Sequence, residues 1–253
     1  PMEKRRPLIA GNWKMFKTCS EAMDTAASLI KLTKDVAETD IMIAPAFTAL
    51  WPVAEIVKES NVSLGAQNFF HEKEGAYTGE ISSSMLVSAG CRYVIIGHSE
   101  RRQLFGETDE TVNKKIKAAL KDNLLPVLCI GETEEERKSK NTFIVLDKQV
   151  KKGLESFFSD GLLSSLVIAY EPVWAIGTGK TATKNQVQEV HLYIRSLLEK
   201  EFGSALAEST RILYGGSVKP NNISELMEMP DVDGALVGGA SLDAETFSQI
   251  VHY

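Results

Sequence analysis

The chain has 253 residues, 43% of them hydrophobic and 25% charged, with a formal net charge of −6. A chain of this length and composition can bury a sizeable core, and its acidic balance argues against sequence-independent binding to nucleic acid or to acidic membranes. Any anionic ligand therefore has to be held by a local positive site.

Three cysteines, Cys19, Cys91 and Cys129, form neither a CxxC pair nor a Cys/His metal spacing, which fits a reduced, cytoplasmic protein that needs no metal. No run approaches the about 18 apolar residues of a membrane span. The apolar stretch after PMEKRR is broken at Asn12 and Lys14 and is too short for a signal peptide, so residues 1–6 read as an N-terminal extension or cloning remnant.

Apolar, β-rich runs recur along the chain: LIAGNW (8–13), DIMIAP (40–45), VSLGAQ (62–67), RYVIIG (92–97), LPVLCI (125–130), LVIAYE (166–171), RILYGG (211–216) and GALVGG (234–239). Between them lie helical stripes such as Val112, Ile116, Ala119 and Leu120, or Val187, Val190, Ile194, Leu197 and Leu198, the latter within a helix predicted over 186–202. Thr18 with Glu21 and Thr183 with Gln186 have capping-box spacing, in which each side chain satisfies an orphan backbone amide. Eight near-continuously apolar strands alternating with amphipathic helices predict an α/β fold, a single (β/α)8 barrel domain over 1–253 with its functional groups at the carboxyl ends of the strands. An open doubly wound sheet of eight strands is the alternative.

The sixth strand ends at Glu171, and AYEPVWAIGTGKTAT (169–183) follows the pattern of a base with a flap behind it. Pro172 stiffens the start of the flap, while Gly177 and Gly179 free its centre. Within this stretch GTGKT (177–181) is not a P-loop, because Trp174 stands where the first glycine belongs. GTGKTA (177–182) is not a dinucleotide fingerprint, because PVWAI separates it from its strand. No nucleotide and no other cofactor is called for.

Other strand ends carry Asn12 and Lys14 after the first strand, and His98, Ser99 and Glu100 after the fourth. Gly215-Gly216 with Ser217 ends the seventh, and Gly238-Gly239 ends the eighth, where glycines let a phosphate approach backbone amides. GHSER (97–101) fails as a nucleophile elbow because Arg101 replaces its last glycine, and Ser99 is equally readable as a helix N-cap. Singly, each residue has an ordinary reading as a solvated lysine, a structural histidine or a turn. Together they supply a base, a hydrogen-bond donor, a cation and a phosphate cradle, which suit proton transfer beside a carbonyl.

GNWKM (11–15), IIGHSERR (95–102), LCIGET (128–133), AYEPVWAIGTGKTAT (169–183), YGGSV (214–218) and DGALVGGASL (233–242) resemble the triosephosphate isomerase family, in order and from about residue 7 to the end. The resemblance implies a TIM barrel and a glycolytic and gluconeogenic isomerase interconverting dihydroxyacetone phosphate and D-glyceraldehyde 3-phosphate through an enediolate. It implies Glu171 as base, His98 as neutral donor, Lys14 as cation and Asn12 as a further oxyanion donor; the family is a standing illustration of a carboxylate base beside a neutral histidine. Phosphate would lie near Gly177, Ser217, Gly238 and Gly239, also within reach of Asn12 and Lys14. Cys129 and Arg101 would support without touching substrate, and Glu100 reads equally as an ion-pair partner. The loop NFFHEKEGAYTGE (68–80) implies a homodimer built through it. A catalytically silent phosphate-binding or interaction protein on the same scaffold is the alternative, against which Asn12, Lys14, His98 and Glu171 all stand intact.

Deleting 175–178 is expected to abolish isomerase turnover while the exposed enediolate eliminates its phosphate, releasing inorganic phosphate and methylglyoxal. Product analysis reads both. Isomerisation at the parent rate without added elimination would make this segment an ordinary surface loop.

Overall fold

The structure, a computed structural model of the chain, describes residues 4–157, 161–176 and 180–253. Eight strands, β1 (Leu8–Asn12), β2 (Asp40–Ala44), β3 (Val62–Ala66), β4 (Tyr93–Ile96), β5 (Leu125–Ile130), β6 (Val167–Tyr170), β7 (Arg211–Tyr214) and β8 (Gly234–Val237), pair in parallel in chain order. The sheet closes where β1 pairs with β8, from Leu8↔Gly234 to Gly11↔Val237. The eight predicted strands are these eight, and the open-sheet alternative is excluded by that closure.

Side chains alternate across a strand, so closure divides each strand into an inward and an outward set. Leu8, Ala10, Met42, Ala44, Tyr93, Ile95, Val127, Cys129, Val167, Ala169, Leu213 and Leu236 fill the barrel. Their neighbours, among them Ile9, Ile43, Ile96, Leu128 and Ile168, pack outward against helix residues such as Val112, Val187 and Ile194. Burial on both faces explains why these strands lack a polar stripe.

Helices Cys19–Leu32 and Lys184–Phe202 start where Thr18 and Thr183 complete their capping boxes. The second therefore begins two residues before the predicted 186: its first turn is set by the cap rather than by the apolar period. At the other end of the barrel Arg211 bonds Asp40 at 2.8 Å, and Arg6 bonds the same carboxylate at 2.6 Å.

The inward alternation carries past the strand ends into the mouth. Val167 and Ala169 point inward, so Glu171 does too; Leu8 and Ala10 are followed by Asn12, and Leu236 by Gly238. The backbone remains paired at this level, with Glu171 N–H donating to Ile130 O and Gly215 N–H to Tyr170 O, both at 2.7 Å. Glycines flank Glu171, one against its backbone and one against its side chain, because nothing larger fits. A Cβ on Gly131 would lie 1.6 Å from Glu171 O, and one on Gly215 would lie 2.8 Å from Glu171 Cγ.

Gly131→Ala must therefore shift backbone. An overpacking cost of about 1–3 kcal/mol is expected, which lowers the melting temperature by about 2–4 °C per kcal/mol in a chain of this size. Thermal unfolding measures it, and a melting temperature within about 1 °C of the parent would mean that Glu171 is not gripped as described.

Candidate active site

Each candidate side chain at the mouth is positioned by a local device. Asn12 ends β1, and its side-chain oxygen accepts from Lys14 N–H at 3.0 Å. Lys14 adopts φ 52, a left-handed conformation that costs a non-glycine residue on the order of 1 kcal/mol. The turn is over-determined from outside: Gln67 donates to Lys14 O at 2.8 Å and to Ala44 O at 2.9 Å. Trp13, fully buried, donates its indole N–H to Ser241 O at 3.0 Å and pins this loop to the turn after β8. Lys14 Nζ lies 2.8 Å from Glu100 Oε1, which realises the ion-pair reading of Glu100. A Cβ on Gly238 would stand 3.6 Å from Lys14 Nζ, so the ammonium reaches the glycines that end β8.

His98 follows a turn made at Gly97, whose φ of 74 favours glycine. The helix after it is Ser99–Leu104, and its cap is His98 rather than Ser99: His98 Nδ1 accepts from Glu100 N–H at 3.1 Å. Ser99, buried as the first helical residue, instead faces Glu171, with its N–H 3.4 Å and its Oγ 3.3 Å from the carboxylate. Because Nδ1 accepts an amide, the ring proton of neutral imidazole belongs on Nε2. Nε2 stands 2.9 Å from Glu171 Oε2.

Glu171 and His98 are thus bonded to one another. Burial alone would raise the Glu171 pKa, but the His98 charge and hydrogen bond outweigh it and hold the carboxyl below its usual range. Burial pushes His98 down, and the Glu171 carboxylate more than reverses this, leaving the imidazole more basic than usual. The sequence leads to a neutral histidine; the difference arises because Glu171 rests against it. Cys129, in the barrel interior below, has its thiol pushed well up by burial and remains neutral. Arg101 has its guanidinium 5.0 Å from the Phe105 ring.

Asn12, Lys14, His98, Glu171, Ser217, Gly238 and Gly239 all line one cavity of about 310 Å³. That volume lies at the small end of ligand sites. Gly177, together with the flap centre through Gly179, lies outside the described residues; Ile176, just before them, lines the same cavity. Among the described residues no group of three His, Cys, Asp or Glu is placed to hold a metal ion.

Sequence reasoning assigned no role to Glu132. It is fully buried and accepts from Tyr170 Oη at 2.7 Å and from Trp174 Nε1 at 3.0 Å, with Arg137 Nη1 at 3.4 Å. It anchors the start of the flap to β5 and β6. The available signal was its place in LCIGET, just past a strand end, as Glu171 is in AYE.

A family model described as triosephosphate isomerase matches residues 7–253. The triosephosphate isomerase of Geobacter metallireducens is 57% identical over 249 residues, 98% of this chain and 99% of the relative. That of Carboxydothermus hydrogenoformans is 57% identical over 247 residues, 98% of each chain. A crystal structure of triosephosphate isomerase from Bartonella henselae superimposes with a TM-score of 0.88 at 40% identity, covering 98% of this chain and 99% of that one. With the barrel, the convergent strand ends and these full-length likenesses in agreement, the chain belongs to the triosephosphate isomerase family.

Proposed function

We propose that the protein interconverts dihydroxyacetone phosphate and D-glyceraldehyde 3-phosphate, with Glu171 moving a proton between adjacent carbons through an enediolate. The observation that carries this reading is a single small cavity lined by a buried carboxylate, an imidazole with Nδ1 occupied, an ammonium and glycine-rich strand ends. Removal of a proton beside a carbonyl needs a base in contact and donors aimed where negative charge grows.

At rest Glu171 is kept ionised by His98, so it is a carboxylate when substrate arrives. To reach carbon it must leave His98 and the Ser99 N–H and hydroxyl. Once it does, burial and the Nδ1 bond act on His98 without the larger of its two opposing carboxylates, Glu100 alone remaining, and the balance moves towards neutral imidazole. Nε2–H is then free to donate to the substrate oxygens. Glu171, meanwhile, loses its partners in a site from which the flap expels water, and its basicity rises. Lys14 offsets the charge of both phosphate and enediolate, and Asn12 donates beside it. Backbone amides at Ser217, Gly238 and Gly239, with Gly177 from the flap, hold the phosphate, so that binding energy from the unreactive end orients the reacting carbons.

Glu171→Asp is expected to keep the fold and lose roughly 10²-fold or more in turnover, because the carboxylate retracts by one methylene from the carbon. Steady-state assay with either triose phosphate measures this. Turnover within about twofold of the parent would assign the base elsewhere.

The chain also reads as a homodimer working in the cytoplasm, joined through the 68–80 loop. Support comes from a groove of about 290 Å³ beside the active site, lined by Met15, Phe47, Gln67, Glu100 and Phe105, with Met15 94% and Phe105 65% exposed in the single chain. Apolar exposure on this scale beside a site marks a contact surface. Free Cys19, Cys91 and Cys129 are compatible with a reducing compartment. Sedimentation at micromolar concentration should give twice the 27.8 kDa chain mass. A monomer at every concentration tested would remove this proposal.

A further inference from the structure

We propose that Lys219 is a capture residue, whose ammonium at the rim of the catalytic cavity draws the phosphate dianion of the incoming substrate towards the Ser217 and Gly238 amides. The proposal rests on the phosphate-binding reading of the site given above and adds to it a residue that takes no part in proton transfer.

Among the described residues lining the cavity, Lys14 and Lys219 are the only lysines or arginines. They differ in what already meets their charge. Lys14 Nζ is 2.8 Å from Glu100 Oε1, so part of its field is spent before ligand arrives. Lys219 is exposed, and among the described residues no carboxylate pairs with it. The remainder of the electrostatic setting is unfavourable to an anion: the cavity holds the Glu171 carboxylate, and the chain carries a net charge of −6. An unpaired cation at the mouth of a cleft in an acidic protein is where local charge most changes the encounter rate.

The backbone bearing Lys219 is also held in place relative to the cradle. Lys219 N–H donates to Asn222 Oδ1 at 2.8 Å, and Asn222 Nδ2 donates to Ser217 O at 2.9 Å. The amides of Asn222 and Ile223 return to Lys219 O at 3.1 and 3.2 Å. One asparagine side chain therefore brackets the capturing residue and the phosphate-binding serine into a single stiff turn. The flexible lysine stem moves over a fixed base, which suits a group that meets the ligand early and yields it to the backbone amides.

The test compares the full-length parent with Lys219→Met, Lys219→Arg and Lys121→Met. Lys121, exposed at the end of helix Asp109–Lys121 and on the opposite face of the barrel, matches the change in net charge. At about 10 mM ionic strength, where the screening length is about 30 Å, Lys219→Met should lower kcat/KM by about 3–10-fold while kcat stays within about twofold. The gap should close to under about twofold near 0.5 M salt. Lys219→Arg should recover most of the loss, and Lys121→Met should show none. A Lys219→Met enzyme with kcat/KM within about 1.5-fold of the parent at low ionic strength overturns the proposal, as does a loss that is equal at both salt concentrations. Titration with inorganic phosphate separates this proposal from the reading beneath it. If the parent binds phosphate without isomerising trioses, the catalytic reading fails, and weaker binding by Lys219→Met still supports capture. Equal phosphate affinity in parent and Lys219→Met refutes capture whether or not the parent is active.

Discussion

Closure of the sheet is the constraint on which the site depends. Pairing of β1 with β8 sets Gly11 against Val237 and so brings the turn carrying Lys14 beside Gly238, although more than two hundred residues separate them in the chain. The inward alternation then aims Asn12 and Glu171 into the same mouth from strands that do not pair with one another. A one-residue slip in β6 would turn Glu171 outward into the helical layer, so the register that buries Val167 and Ala169 also aims the carboxylate.

The mouth holds charge and strain that the surrounding structure has to support. A buried carboxylate is costly unless it is met by hydrogen bonds and opposite charge. Here His98 Nε2 and the Ser99 N–H and hydroxyl meet it, and of these His98 lines the same cavity as the carboxylate. Lys14 stays in its left-handed conformation because Asn12, Gln67 and the buried Trp13 hold the residues around it. Glu132 does the same for the flap, accepting from Tyr170 and Trp174 in a fully buried position. Stability away from the reaction is thus used to keep reactive groups in arrangements they would not adopt alone.

The electrostatic layout separates attraction from chemistry. Lys14 is committed to Glu100, whereas among the described residues Lys219 stands unpaired at the rim on a turn tied to Ser217. In a chain with a net charge of −6, such local placement of cations decides where an anion first settles.

Strand positions, the two capping boxes and the residues gathered at the mouth were legible in the sequence, because each rests on short-range chemistry. Alternation of burial, a threonine three residues from its Glu or Gln, and glycine where backbone must approach closely are all local. Of the two readings open for Ser99 the cap is not the one realised, because two adjacent polar residues compete for that place and His98 takes it, leaving Ser99 the first helical residue. Glu132 and Lys219 went unassigned because their roles lie in partners or emptiness across space. The 0% exposure of Glu132 and the absence of a carboxylate beside Lys219 among the described residues have no local signature. By itself the sequence determined the barrel and the identity of the groups at its mouth, since periodicity and composition encode which face each residue takes. Only the tertiary structure decided that Glu171 rests against His98, with Glu100 N–H on Nδ1, because the protonation balance of a buried pair depends on distances between elements that no sequence spacing sets.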